Sequence, residues 1–95
     1  LGPLRIDPRA HTVHRGEEEV QLTRTEFRLL MELARRPGRV FSREMLLELV
    51  WGYDYLGDSR LVDVAVQRLR AKVEADPARP RLVLTVRGVG YKAAP

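Results

Sequence analysis

Residues 60–73, RLVDVAVQRLRAKV, carry more apolar side chains than one buried face of a helix requires. At about 100° per residue, one narrow arc of a helical wheel holds Val62, Val66, Leu69 and Val73, which is the pattern of a stripe packed on a core. A second arc holds Leu61, Val64, Ala65, Arg68 and Lys72. This second arc constrains the chain most, because a small domain must either cover such apolar side chains with another element or use them to bind a partner.

The length and composition predict one globular domain. The chain has 95 residues, of which 44% are hydrophobic and 32% are charged. It has no cysteine, which excludes disulfides and thiolate zinc sites and fits a reducing compartment. No apolar run approaches the ~20 residues of a membrane span. We therefore expect a cytoplasmic domain without membrane contact and, since no initiator methionine precedes Leu1, a piece of a longer protein.

The net charge of +4 is unevenly distributed along the chain. Residues 1–59 hold nine Arg and ten Asp or Glu, a net charge of −1, whereas residues 60–95 hold eight Lys or Arg and three Asp or Glu, a net charge of +5. Such asymmetry favours a polyanionic partner. On charge alone, an ordinary solvated surface is an equally good interpretation.

The N-terminal part predicts short strands followed by a helix. Strands are expected at 4–6, 11–15 and 18–22, with Gly16 in a hairpin turn. In the predicted helix 22–38, Thr23 and Glu26 form a capping box, and Pro37-Gly38 ends the helix. The expected core side chains of this helix are Phe27, Leu30, Met31 and Ala34.

A second helix, 43–51, follows a brief extended link and is capped by Ser42. Its expected buried side is Met45, Leu46, Leu49 and Val50. The short connection predicts a helix–turn–helix arrangement. Asp58 or Ser59 then caps the third helix, which is expected to end near Ala75. Residues 81–95 predict a β-hairpin, with Gly88 and Gly90 permitting its turn.

Catalytic and cofactor sites receive little support. His11 and His14 are three apart on a predicted strand, so they point to opposite faces and are poorly placed to share a metal. Gly88-Val89-Gly90 lacks the third glycine and the following helix of a dinucleotide loop. The sequence has no thiol, no nucleophile elbow and no HExxH pair. We expect no metal, no cofactor and no catalytic residues.

The second arc of the third helix matches the chemistry of a DNA major groove. Val64 and Ala65 suit thymine methyl groups, and Arg68 can fork onto a guanine edge. Arg60 and Lys72, near the two ends of the helix, can meet phosphates. The alternative is that Leu61 and Val64 pack against the N-terminal strands or the hairpin. Arg87, in the hairpin turn, can reach the minor groove, whose negative potential attracts arginine.

Three segments together resemble the winged-helix DNA-binding output domain of OmpR/PhoB-type response regulators. They are LTRTEFRLLMELARRPGRVFSREMLLELVWG, DSRLVDVAVQRLRAKVE and LTVRGVGYK, and the resemblance covers roughly Arg5 to Lys92. It implies an α+β fold, a winged helix-turn-helix with an N-terminal antiparallel sheet, three helices and a C-terminal β-hairpin wing. It also implies that helix 59–75 enters the major groove and that the wing addresses the minor groove.

The resemblance also implies roles for particular residues. The recognition helix carries Arg60, Val64, Ala65, Arg68 and Arg70, of which Arg70 rests on the family match alone. The wing carries Thr85, Arg87 and Tyr91, and Trp51 stands where the family contacts the DNA backbone. Ala65 departs from the histidine or other polar reader that is common at its position, which leaves the base preference there open.

The resemblance implies further partners as well. The loop from Gly52 to Asp58 corresponds to a segment that meets RNA polymerase in some members, here through Tyr53, Asp54, Tyr55 and Leu56; the alternative is that these side chains simply pack. An N-terminal receiver domain, phosphorylated by a sensor kinase, and binding of paired domains to direct repeats are also expected. The competing function is a winged-helix module whose second arc docks a protein.

Overall fold

The computed structural model describes residues 1–52 and 57–95, and these form an α+β fold. In chain order the elements are β1 (Leu4–Asp7), β2 (Thr12–Arg15), β3 (Glu18–Glu19), α1 (Arg24–Ala34), β4 (Phe41–Ser42), α2 (Arg43–Leu46), α3 (Arg60–Val73), β5 (Val83–Val86) and β6 (Gly90–Ala93). A π-helical segment, Leu47–Trp51, continues α2. The predicted order of strands, three helices and a hairpin is confirmed.

The N-terminal sheet is antiparallel in the order β1-β2-β3, with Leu4 opposite Arg15. Gly16 has a φ of 60° at the turn between β2 and β3, as predicted. Strand β1 is one residue longer than expected, whereas β2 begins one residue later and β3 has only two residues. The ring of His11 stacks on Phe27 of α1 at a centroid distance of 4.8 Å, so this histidine joins the sheet to the first helix.

Helix α1 begins with the predicted capping box. Thr23 Oγ1 accepts from the Glu26 backbone N–H at 3.2 Å, and the Glu26 carboxylate accepts from the Thr23 backbone N–H at 2.8 Å. The buried apolar side chains of α1 are Phe27, Leu29, Leu30 and Leu33. Met31 and Ala34, expected in the core, are only half-buried. The helix packs against α3, the π-helical segment and β6, and these neighbours cover the arc that includes Leu29 and Leu33 instead.

The second helix departs from the expected regular α-helix at Leu47. In the π-helical segment, the Gly52 backbone N–H donates to the carbonyl of Leu47, five residues earlier, as well as to that of Glu48. The buried side chains of α2 and this segment are Leu46, Leu47 and Val50. The prediction was wrong for Met45 and Leu49, which lie half-buried at the edge of the core.

Helix α3 buries the predicted stripe completely, since its four members are 0% exposed: Val62, Val66, Leu69 and Val73. Ser59 holds the N-cap position, but the side-chain bond at this end comes from Asp58, whose carboxylate accepts from the Arg60 backbone N–H at 2.8 Å. Ser59 makes no side-chain capping bond within the described ranges. The helix ends at Val73, two residues earlier than expected.

The C-terminal hairpin belongs to a second sheet, in the order β4-β6-β5. Strand β4 was expected only as an extended link, but Phe41 pairs with Tyr91 and Ser42 with Gly90. Gly90 permits this pairing, because a Cβ atom there would lie 1.9 Å from the Phe41 carbonyl oxygen. Gly88 has a φ of 75° and turns the chain between β5 and β6, as predicted. This sheet places the wing against α3.

Candidate nucleic-acid interface

An exposed stripe runs along α3, and we call it the reading stripe. Its members are Arg60, Leu61, Val64, Gln67, Arg68, Ala71 and Lys72. Leu61 is 37% exposed and Val64 is 47% exposed, and they belong to the few large hydrophobic side chains left open in the described part of the chain. The alternative that they pack against the N-terminal strands or the hairpin is therefore wrong.

A depression borders the reading stripe on the side of α1. It is lined by Thr23, Thr25, Glu26, Trp51, Leu61, Val64, Ala65 and Arg68. Trp51 is half-buried at its rim, where the π-helical segment ends. Ala65, expected among the groove-contacting residues, lines the depression but is only 7% exposed. It lies between the core arc and the second arc of the helical wheel, and its small side chain forms the floor of the depression.

The cations at the two ends of the reading stripe have carboxylate partners. The Arg60 guanidinium lies 2.6 Å from Asp58, and both side chains are exposed. Lys72 Nζ lies 2.6 Å from Glu26 Oε1, and the Glu26 side chain is buried. Lys72 thus ties the far end of the stripe to the capping box of α1, so a phosphate contact by Lys72 has to compete with this ion pair.

The Lys72 pair affects the protonation of Glu26. Burial alone would raise the pKa of Glu26, but the hydrogen bonds from Lys72 and from the Thr23 backbone N–H outweigh it. The pKa of Glu26 is consequently held below its ordinary value of 4.5. The carboxylate therefore stays ionised at neutral pH and keeps both partners.

Arg70 does not lie on the reading stripe, which corrects its expected DNA contact. The residue is 5% exposed and its guanidinium faces the hairpin. Its Nε and one Nη donate to the Val83 carbonyl at 3.0 and 2.8 Å, and the same Nη donates to Thr85 Oγ1 at 2.8 Å. Arg70 therefore holds β5 against α3. Thr85 is exposed, but its hydroxyl already accepts this bond.

Tyr91, expected on the wing as a DNA contact, is also buried. Its hydroxyl donates to Asp63 Oδ1 at 2.5 Å, and the same oxygen accepts from Arg43 Nε at 2.7 Å. Burial, reinforced by the Asp63 carboxylate, raises the pKa of Tyr91. Burial works against ionisation of Asp63, but hydrogen bonds from Tyr91 and Arg43 keep the pKa of Asp63 below its ordinary value.

The wing tip projects into solvent. Arg87, Gly88 and Val89 are all exposed, and the turn is closed by the Val89 backbone N–H donating to the Val86 carbonyl at 3.0 Å. The structure therefore presents Arg87 at the end of the hairpin, where the sequence placed it. The described interface consists of an apolar and basic helix face and a separate basic tip.

Comparison with known proteins identifies the family of this architecture. Residues 16–93 match the family model described as "Transcriptional regulatory protein, C terminal". The chain belongs to this family. It is 63% identical over 95 residues to the transcriptional regulatory protein AfsQ1 of Streptomyces coelicolor, and 60% identical over 95 residues to the DNA-binding response regulator MtrA of Mycolicibacterium smegmatis. Each match covers 100% of the chain and 42% of the relative, so the chain spans less than half the length of these relatives.

Solved structures agree with the OmpR/PhoB type. The response regulator DrrB of Thermotoga maritima, an OmpR/PhoB homologue, matches with a TM-score of 0.92 and 38% identity over 100% of this chain and 43% of that one. The RstA DNA-binding domain of Klebsiella pneumoniae, solved in complex with the RstA box, matches with a TM-score of 0.88 and 41% identity over 98% of this chain and 92% of that one. The chain is thus an OmpR/PhoB-type C-terminal DNA-binding domain of winged-helix fold.

The OmpR/PhoB-type domain contains important polar residues that the sequence reasoning missed. Asp63 and Arg43 support Tyr91, and Glu74 is buried directly after α3. The Glu74 carboxylate accepts backbone N–H groups from Arg81, Leu82 and Val83 at 2.8 to 3.1 Å. The sequence did contain a signal for this polar cluster. Asp63, Arg70 and Glu74 fall within about 40° of one another on a helical wheel, beside the core stripe, so one neighbouring element can cover all three.

Two further expectations concern the loop that follows the π-helical segment and contact with a membrane. The loop side chains expected to meet RNA polymerase, Tyr53, Asp54, Tyr55 and Leu56, lie outside the described residues. None of the helices in the described ranges is both long enough and apolar enough to cross a membrane.

Proposed function

We propose that this domain binds one double-stranded DNA sequence by inserting the reading stripe of α3 into the major groove while Arg87 enters the adjacent minor groove. The observation that carries the proposal is the exposure of Leu61 and Val64 beside Arg68 on a helix whose opposite face is fully packed. The major groove offers this helix thymine methyl groups for the apolar side chains and guanine acceptors for the guanidinium. A purely solvated surface would give no reason for the apolar members.

The residues of the reading stripe then divide by chemistry. Arg68 is exposed and forms no ion pair with the residues that the structure describes, so its guanidinium is available for a guanine edge. Arg60 and Trp51 contact the DNA backbone. Lys72 contacts a phosphate only when its ion pair with Glu26 breaks. Ala65 shapes the floor of the depression without reading a base.

On the wing, Arg87 and Thr85 are the contact residues, whereas Arg70 and Tyr91 act behind them. The tip is narrow and exposed, and arginine is favoured in a narrow minor groove by its negative potential. The excess of positive charge in residues 60–95, a net +5 from eight basic and three acidic residues, lies in the same two elements and the segment between them. Association should therefore weaken steeply with salt.

In the full-length protein, we assign this domain the output role in the cytoplasm. An N-terminal receiver domain phosphorylated by a sensor kinase would control it, and paired domains would occupy direct repeats. RNA polymerase is the proposed partner of the loop that contains Tyr53 to Leu56. No catalytic step is assigned to the domain. Family membership and similarity to response regulators support the receiver domain and the kinase, while the direct repeats and the polymerase contact follow from the resemblance of the sequence motifs alone.

The test begins with selection of bound sequences from a random duplex pool, followed by affinity measurements on the selected site. Arg68→Ala should weaken binding by about 1–3 kcal/mol and relax the base preference at one position. Arg36→Ala is the matched control, since Arg36 is exposed beyond the C-terminal end of α1, away from the depression. Unchanged site selection by Arg68→Ala would refute the assignment of Arg68, and absence of duplex binding at low salt would favour the protein-docking alternative.

A further inference from the structure

Helix α3 has a third, polar side that neither the core nor the reading stripe uses. Asp63 and Arg70 lie seven residues apart, which is two helical turns or about 10 Å along the axis, and both face the hairpin. Each side chain holds a different strand of the wing. Together with Arg43 and Tyr91, they form what we call the wing anchor.

The Asp63 branch of the wing anchor joins three elements at one oxygen. Asp63 Oδ1 accepts from Tyr91 Oη on β6 at 2.5 Å and from Arg43 Nε on α2 at 2.7 Å. Both guanidinium carbons of the anchor lie over the Tyr91 ring, that of Arg43 at 5.8 Å and that of Arg70 at 5.5 Å from its centroid. The tyrosine is therefore held at its hydroxyl and against its ring by charged groups.

The Arg70 branch holds the other strand through directional bonds. Three N–H···O bonds run from one guanidinium to the Val83 carbonyl and the Thr85 hydroxyl. In the register of the hairpin, Thr85 is opposite Tyr91, and Val86 opposite Gly90 forms the next pair. The two branches therefore bind the two opposite residues of one cross-strand pair, Thr85 and Tyr91. Only the Val86–Gly90 pair separates this bound pair from the turn that carries Arg87.

Such an arrangement controls direction as well as distance. Apolar packing is non-directional, whereas hydrogen bonds weaken steeply when their geometry is distorted. Two attachment points on one helix oppose rotation of the hairpin about either point alone. Arg87 is only two residues beyond Thr85, about 7 Å of extended chain, so little flexible backbone separates the bound pair from the tip.

We infer that Asp63, Arg70 and Tyr91 are positioning residues that set the orientation of the wing relative to α3, so that Arg87 meets the minor groove in register with the reading stripe in the major groove. The inference rests on the proposed function, because it assumes that both elements contact the same DNA. It assigns to these residues an effect on DNA affinity that is transmitted through Arg87.

The test is a double-mutant cycle on the selected DNA site. Arg87→Ala should weaken binding by about 5- to 10-fold in the parent chain, the effect of about one minor-groove contact. In a Tyr91→Phe background, which lacks only the anchoring hydroxyl, the same substitution should weaken binding by less than about twofold. Arg68→Ala should keep its full effect in this background, because α3 itself is unaltered.

Asp63→Asn provides a second background, and Asp76→Asn provides the control. Asp76 undergoes the same chemical change, but among the residues that the structure describes its carboxylate accepts only the local Ala78 backbone N–H, at 3.1 Å. Arg87→Ala should keep its parental effect in this control. Thermal unfolding followed by circular dichroism selects conditions in which each variant is folded, and Asp63→Asn serves if Tyr91→Phe does not fold.

The outcomes separate the inference from the proposed function. An undiminished effect of Arg87→Ala in both backgrounds would overturn the positioning role and leave DNA reading by α3 and the wing intact. Equal attenuation of the Arg68→Ala and Arg87→Ala effects would also overturn it, since a general loss of structure would then explain the data. No effect of Arg87→Ala in the parent chain would remove both the minor-groove assignment and the inference.

Discussion

Arg68 and Arg70 are two residues apart on the same helix, yet they belong to regions with opposite roles. Arg68 is exposed on the reading stripe. Arg70 is 5% exposed in the wing anchor and donates hydrogen bonds to the Val83 carbonyl and the Thr85 hydroxyl. The two arginines differ only in which arc of the helix they occupy. A basic residue in a DNA-binding helix is therefore a candidate DNA contact only when no neighbouring element covers its arc.

The two regions also reverse the usual distribution of side chains. The reading stripe leaves Leu61 and Val64 open to solvent, and the wing anchor places Asp63 and Arg70 under the hairpin. In each region the type of side chain fits what it faces, which is the proposed DNA for the reading stripe and the hairpin for the wing anchor. Exposed apolar groups would match base methyl groups in the proposed DNA complex, and the polar groups under the hairpin satisfy carbonyl, hydroxyl and guanidinium groups that would otherwise lack these hydrogen bonds.

The largest expected difference between the two regions is in the effect of truncating each arginine on stability. Arg70→Ala should lower the free energy of unfolding by about 2–4 kcal/mol, because it removes both donors from the Val83 carbonyl and leaves a cavity beneath Tyr91. Arg68→Ala should change it by less than about 0.5 kcal/mol, as expected for an exposed side chain. Urea unfolding at pH 7 measures both values. Similar stabilities of the two variants would contradict the division of the helix into these regions.

A smaller effect is expected where the reading stripe is tied to α1. Glu26→Gln removes the charge that pairs with Lys72 and should cost about 1 kcal/mol of stability at pH 7. Because the pKa of Glu26 is lowered on folding, its contribution is present above the ordinary value of 4.5 and is lost as the pH falls through the lower folded value.

The pH dependence of unfolding measures this contribution. The parent and Glu26→Gln should differ at pH 6 and converge once the pH falls below the lowered pKa of Glu26, where the carboxylate is protonated in both states. Glu48→Gln, which alters an exposed carboxylate on the π-helical segment, is the matched control and should leave the curve nearly unchanged. A gap between parent and Glu26→Gln that widens towards low pH would be incompatible with the sign of the pKa shift.

The smallest expected effect is on DNA affinity and comes from the apolar side chains of the reading stripe. Val64→Ala should weaken binding to the selected site by about 0.5–1 kcal/mol if Val64 contacts a thymine methyl group, a loss comparable to that of one buried methylene. Replacing that thymine by deoxyuridine should cost the parent a similar amount and cost Val64→Ala nothing further. Val40→Ala, another partly exposed valine, is the control. Additive losses from the two changes would exclude direct contact.

The parts of the fold that sequence predicted depend on short-range signals. The Thr23–Glu26 capping box, the stripe from Val62 to Val73 and the glycine turns at Gly16 and Gly88 all follow from residues a few positions apart. The exposed part of the candidate site was predicted for the same reason. Helical periodicity separated Leu61, Val64 and Arg68 from the core arc.

The parts that sequence missed depend on partners distant along the chain. Strand β4 has two residues and exists because β6, about 50 residues later, pairs with it. Leu47 is buried instead of Leu49, because a largely apolar run such as Met45 to Val50 offers two overlapping helical arcs and only the tertiary neighbours decide which one faces the core. A wheel gives the angle of Ala65 but not its burial at the bottom of the depression, and no local signal places Val83 beside Arg70.

The Glu74 carboxylate has a consequence for the order in which the domain assembles. It closes loops of only seven to nine residues when it accepts the backbone N–H groups of residues 81–83, whereas the Glu26–Lys72 pair joins residues 46 apart. Loops of about ten residues close within about 100 ns, and the entropy lost on closure grows with loop length. We therefore expect β5 to dock on α3 as a local unit during refolding, before α1 settles against that helix.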